Sequence, residues 1–175
     1  MFEFRVTKYD PAYRRGGVAY TRDEWTSVND IGRSFGGEIF TDAVYQRTED
    51  AYIAVASAFM QEAGIQSLTV AGLQNHAAVI LPFGEGAALS VADAAEVARR
   101  VLREEFWCRL EGSGFVHLGY DYYMYLGVPR PCAAAEALAQ QFGLFVEPSG
   151  PLTPIKSTTN TKALHRIGPS MARGR

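Results

Sequence analysis

Six carboxylates sit against aromatic or apolar neighbours: Asp23 and Glu24 before Trp25, Asp30 before Ile31, Glu104 and Glu105 before Phe106, and Asp121 between Tyr120 and Tyr122. A carboxylate in such a setting is either paired or raised in pKa, and two with different environments can share general acid and base work. Each also has an ordinary structural use. Asp30 can cap a helix, Glu104 and Glu105 can pair with Arg99, Arg103 or Arg109, and Asp121 can make a buried hydrogen bond. The enzymatic reading of this set is a small hydrolase with Asp121 and Glu105 in one cleft.

Other chemistry finds no matching setting. His76, His117 and His165 lack the i,i+4 separation that puts two metal ligands on one helix face, so no metal site is expected. The one Gly-x-Ser-x-Gly match, Gly32-Arg33-Ser34-Phe35-Gly36, closes the expected short helix instead of leading a strand into a helix as a nucleophile turn requires, and Cys108 beside Trp107 reads as a packed residue at a helix end. Gly16-Gly17 and Gly84-Glu85-Gly86 lack the Walker lysine and its strand-to-helix setting. No cofactor is expected.

Around these residues the chain is organised by the run from Phe115 to Gly127, its densest in aromatic and apolar side chains. At period two, Val116, Leu118, Tyr120, Tyr122, Met124 and Leu126 share a core face. Phe115, His117, Asp121, Tyr123 and Tyr125 share the other, which is either a half-polar packing face or the floor of a site. Gly119 makes a hairpin or bulge an alternative to one long strand.

The elements before and after it follow from local signals. Phe2, Phe4 and Val6 alternate with polar residues as a first strand, and Ser27 with Asp30 forms a capping box for a short helix carrying Val28, Ile31 and Phe35 inward. Thr41-Asp42 opens a long helix ending at Gly64, with Val44, Tyr52, Val55 and Phe59 as its buried stripe. Residues 66–73 and 76–83 read as strands. Ser90 with Asp93 starts a helix continuing to about Cys108, with the row Ala94, Val97, Val101 and Phe106. A helix over 132–142 and a strand over 144–147 close the fold. The expected order is β-α-α-β-β-α-β-α-β: one α+β domain over 1–147, with a largely antiparallel sheet covered by helices on one face. Residues 148–175 read as a disordered basic tail.

Charge divides in the same way. Of 17 basic side chains five follow Glu147, leaving 12 against 19 acidic ones in the domain, a net of −7. An acidic body argues against nucleic-acid binding and favours encounter with a basic protein. No run is long enough for a membrane span, the N-terminus shows no signal-peptide pattern, and Cys108 and Cys132 lack CxxC spacing, so a cytoplasmic location without a membrane partner is expected.

The segments Lys8-Tyr9-Asp10-Pro11, Asp23-Glu24-Trp25-Thr26-Ser27, Asp30-Ile31-Gly32, Arg103 to Cys108, Gly119 to Tyr125 and Gly143 to Glu147 together resemble a family of small bacterial cytosolic proteins loosely associated with immunity proteins of polymorphic toxin systems. The resemblance spans about residues 3–148 and brings no catalytic residues with it. It implies occlusion: an acidic surface pairs with a basic toxin and blocks it without chemistry. The contact candidates are Asp23, Glu24, Trp25, Asp121 and Tyr123, from the acidic body and the clustering of acids with aromatic residues. The alternatives are the hydrolase above and a domain that self-associates through the Phe115–Gly127 run.

Overall fold

The computed structural model describes residues 1–15 and 19–149, without the side chains of Ala19 and Tyr120. From residue 150 on, the expected tail lies outside the described residues. Pro148 belongs to the last strand, and the Ser149 N–H donates to the Glu3 carbonyl, so the domain runs past Glu147.

Alternation of apolar and polar residues builds one antiparallel sheet from β1 (Phe2–Thr7), β2 (Ser67–Gln74), β3 (Ala88–Ser90), β4 (Trp107–Gly112), β5 (Phe115–Leu118), β6 (Met124–Val128) and β7 (Phe145–Pro148), in the order β7-β1-β6-β5-β4-β2-β3. The helices α1 (Asp42–Ala63), α2 (Val91–Leu102) and α3 (Ala133–Gln141) cover one face, which is the expected α+β arrangement. The strand residues facing them, among them Val6, Val70, Leu110, Val116 and Leu126, are buried in one cluster with Tyr52, Val55 and Phe59 of α1 and Ala94, Val97 and Val101 of α2. Each such strand side chain contributes about 1.5–3 kcal/mol by leaving water.

α1 begins and ends where its caps dictate. The Thr41 side chain accepts from the Val44 N–H, and Gly64, at φ 74, supplies the left-handed C-cap. Of the expected stripe, Tyr52, Val55 and Phe59 are fully buried and Val44 only half-buried; Tyr45 and Glu49 extend the row instead. Glu49 has no exposed surface, yet it accepts from the Tyr45 hydroxyl, from Arg99 at 2.5 Å and from Arg103 at 2.7 and 2.8 Å. This network locks α1 to α2. At the other end of α1, the Glu62 carboxylate accepts from the N–H groups of Ala134 and Ala135, capping α3 where its own N-cap residue offers nothing, while Arg130 donates to the Glu62 carbonyl.

The run from Phe115 to Gly127 is a hairpin turning over Gly119–Tyr123, with Leu118 opposite Met124 and Val116 opposite Leu126. Even-numbered residues pair with even, so both strands keep one core face. On the helix-free face, Phe115 lies across Gly127: a Cβ there would stand 2.1 Å from its Cε1, which only glycine avoids.

Three expectations are corrected. Residues 76–83 form no strand; Pro82 and Gly84 break the alternation, and the third hydrophobic strand is Ala88–Ser90. α2 stops at Leu102 rather than about Cys108, because Glu104 is left-handed at φ 58 and turns the chain into β4. Cys108 therefore lies in a strand, where burial pushes its thiol up to about 11. The capping box at Ser27 and Asp30 forms as expected, but over a single 3₁₀ turn, Val28–Asp30.

Candidate functional site

Glu104 sits where a helix normally ends in glycine. The Glu104 N–H donates to Val101 and the Glu105 N–H to Arg100, closing a Schellman turn around a left-handed residue with a Cβ. Such a backbone costs on the order of 1 kcal/mol. What it secures is a cross-chain clamp: one Glu104 oxygen accepts from Ser27 Oγ at 2.6 Å and the other from Asn29 Nδ2 at 2.7 Å. Glu105, next along, is held by Arg100 Nε at 2.7 Å.

A left-handed pair faces this corner. Asp121 and Tyr122 lie at φ 56 and 60 in the turn between β5 and β6, which the Gly119 N–H ties to the Tyr123 carbonyl at 2.7 Å. The turn sinks the Tyr122 ring to 3% exposure among Trp25, Tyr45 and Tyr52 and leaves Asp121 outside. Between the two corners opens a cleft of about 350 Å³. Glu104, Glu105 and Asp121 line it together with Thr26, and Phe106, Trp107 and Tyr122 form its aromatic walls. The Trp107 indole N–H is fixed on the Leu118 carbonyl at 3.2 Å. Arg100 offsets the charge of Glu105, whereas Glu104 and Asp121 have no cationic partner among the described residues.

The contact candidates are neighbours in space, joined through Tyr9. Its ring lies 5.3 Å from that of Tyr123, and its hydroxyl donates to the Trp25 carbonyl at 3.2 Å. Asp23 is exposed. Glu24 is engaged by the Tyr20 hydroxyl and by Lys8 at 3.4 Å, whose ammonium sits 4.0 and 4.1 Å from the Tyr9 and Trp25 ring centres. Burial pulls that ammonium down to about 8 against the opposing pull of Glu24.

Trp25 is corrected from a surface anchor to a core residue: it is 8% exposed, stacked on Phe40 at 4.3 Å, and meets the cleft residue Tyr122 edge-on at 4.9 Å. For Asp121 it is the ordinary structural use that is set aside. The residue is exposed at the cleft rather than buried in a hydrogen bond, because the left-handed turn points the neighbouring tyrosine inward instead.

His117 does not join Asp121. It stacks on Phe115 on the helix-free face of the sheet, 3.5 Å from Glu111, and burial lowers its pKa with Glu111 opposing and Arg109 adding to the shift. The hydrolase alternative put Glu105 and Asp121 in one cleft, and both line this one; that Glu104 joins them was not legible, since a helix read on to Cys108 carries no turn at that position. His76 and Ala77, which also line the cleft, were hidden inside the expected strand.

Among the described residues no group of His, Cys, Asp and Glu is arranged to hold a metal, and no helix is long and apolar enough to cross a membrane. No family model, curated protein or solved structure matches this chain.

Proposed function

We propose that this chain is a protein-binding module that captures a basic partner at the cleft and blocks it by occlusion, as immunity proteins of toxin systems do. The observation that carries the reading is the meeting of Glu104, Glu105 and Asp121 around an aromatic-walled cleft. Carboxylates beside the half-buried Trp107 ring suit a guanidinium, which stacks on a ring and donates charge-assisted hydrogen bonds in plane. The acids are also set up to receive rather than to react. Glu104 and Glu105 are already oriented by Ser27, Asn29 and Arg100, and each oxygen of Glu104 keeps a lone pair for a further donor. The net charge of −7 over residues 1–147 would steer a cationic partner towards the domain.

The hydrolase reading draws on the same cleft, because Glu105 and Asp121 both line it. It gives the aromatic walls and the Glu104 clamp no task.

The test is a titration of the ¹⁵N-labelled protein with acetyl-arginine methylamide, with the neutral isostere acetyl-citrulline methylamide as control. The Trp107 indole resonance should shift with arginine at a Kd on the order of 1–10 mM and not with citrulline. Asp121→Asn, which keeps a residue type tolerant of the left-handed turn, should weaken binding by about threefold or more. Equal shifts from both probes would remove the proposal.

A further inference from the structure

Beside the cleft, residues 75–87 form a loop with both legs planted on it. His76 and Ala77 of the first leg line the cleft, and Phe83 of the second packs edge-on against the cleft residue Phe106 at 5.7 Å. Between the legs stands Ile80, 92% exposed, the most exposed large apolar side chain among the described residues.

An apolar residue held out on a slack loop would mean little, but this loop is fastened along its length. Asn75 brackets Val79 from both sides, donating to its carbonyl at 2.8 Å and accepting from its N–H at 3.0 Å. Glu85 accepts from the N–H groups of Gly72 and Leu73 at 2.9 and 2.7 Å, binding the second leg to the irregular end of β2. These bonds hold the carboxyl of Glu85 below its usual range. The Gly86 N–H donates to Val70, and Leu81 and Phe83 pack on the core. Ile80 is therefore presented at a fixed place, and little ordering cost remains when something covers it.

We propose that the recognition surface extends from the cleft onto Ile80, so that the partner is a protein segment carrying an arginine flanked by apolar side chains. This rests on the binding reading above and adds the chemistry of the neighbouring contact. The choice of occupant follows from charge complementarity with Glu104 and Asp121 and from distance. Ile80 is three positions along from Ala77, at most about 10 Å of chain, which is within reach of side chains one or two positions from an arginine seated in the cleft. A partner presenting only polar residues around its arginine would leave Ile80 in water.

Two pentapeptides test this: acetyl-Leu-Leu-Arg-Leu-Leu-amide and acetyl-Gly-Gly-Arg-Gly-Gly-amide, titrated into the ¹⁵N-labelled full chain. The leucine peptide should bind at least about fivefold tighter than the glycine peptide and shift the Ile80 amide as well as the Trp107 indole. In Ile80→Ser, which removes no buried contact, that preference should fall to within about twofold while binding of the glycine peptide is unchanged. Equal affinity for the two peptides, or a leucine preference that survives Ile80→Ser, overturns the proposal and leaves the cleft standing. If neither peptide moves the Trp107 resonance, the cleft reading fails and this inference falls with it.

Discussion

Glu49→Gln should lower the stability of the domain by about 2–4 kcal/mol at pH 7, read from urea unfolding. The carboxylate has no exposed surface and is the common acceptor for Tyr45, Arg99 and Arg103, so neutralising it strands two guanidiniums at the seam between α1 and α2. The loss is put below that of a fully buried pair because Arg99 and Arg103 keep 21% and 38% of their side-chain surface, and Arg99 retains Asp50 at 2.6 Å. Burial by itself would raise the Glu49 carboxyl, but the hydrogen bonds from Arg103, Arg99 and Tyr45 outweigh it and hold the pKa below its ordinary value. A group depressed on folding contributes fully above its unfolded pKa and loses that contribution as pH falls through the folded value. The gap between wild type and Glu49→Gln should therefore be widest near neutrality and narrow in acid. A gap that is constant with pH would mean that the network contributes packing and not charge.

Trp25→Ala should cost about 3–5 kcal/mol, the range for deleting a large buried aromatic side chain. Its ring stacks on Phe40 at 4.3 Å, meets Tyr122 edge-on at 4.9 Å and carries the Lys8 ammonium on its face. Any affinity lost in this variant would report a collapsed cleft wall before a lost contact, so it is a stability probe and a poor interface probe. A loss of less than about 1 kcal/mol would contradict its placement in the core.

The contrast between Trp25 and Asp121 shows what local pattern carries and what it does not. Caps and periodicity are short-range, and they located α1 between Thr41 and Gly64 and the start of α2 at Ser90. They also set the core face of the hairpin, because a turn that pairs even residues with even preserves the alternation. The end of α2 was illegible for a physical reason. A Schellman turn closed by Glu104 has no glycine to announce it, and its stability depends on Ser27 and Asn29, more than seventy residues away. Exposure of an aromatic residue next to acids is likewise a tertiary property. Trp25 is covered by Phe40, Tyr45 and Tyr122, none of which its neighbours in sequence foretell. The acidic character of the site was readable from residue types, and its assembly required the two left-handed corners.

Capture of a basic protein through this cleft is tested most directly by parallel affinity isolation, from the cells that make the chain, on wild type and on the Glu104→Gln, Asp121→Asn double variant. The side-chain amide introduced at position 104 can still meet Ser27 and Asn29, so the fold is kept while two charges are removed. The account predicts a protein of net positive charge held by wild type at fixed stoichiometry in low salt, released as salt is raised, and retained about tenfold less by the double variant. Equal retention by both, or recovery only of acidic proteins or of none, would contradict it.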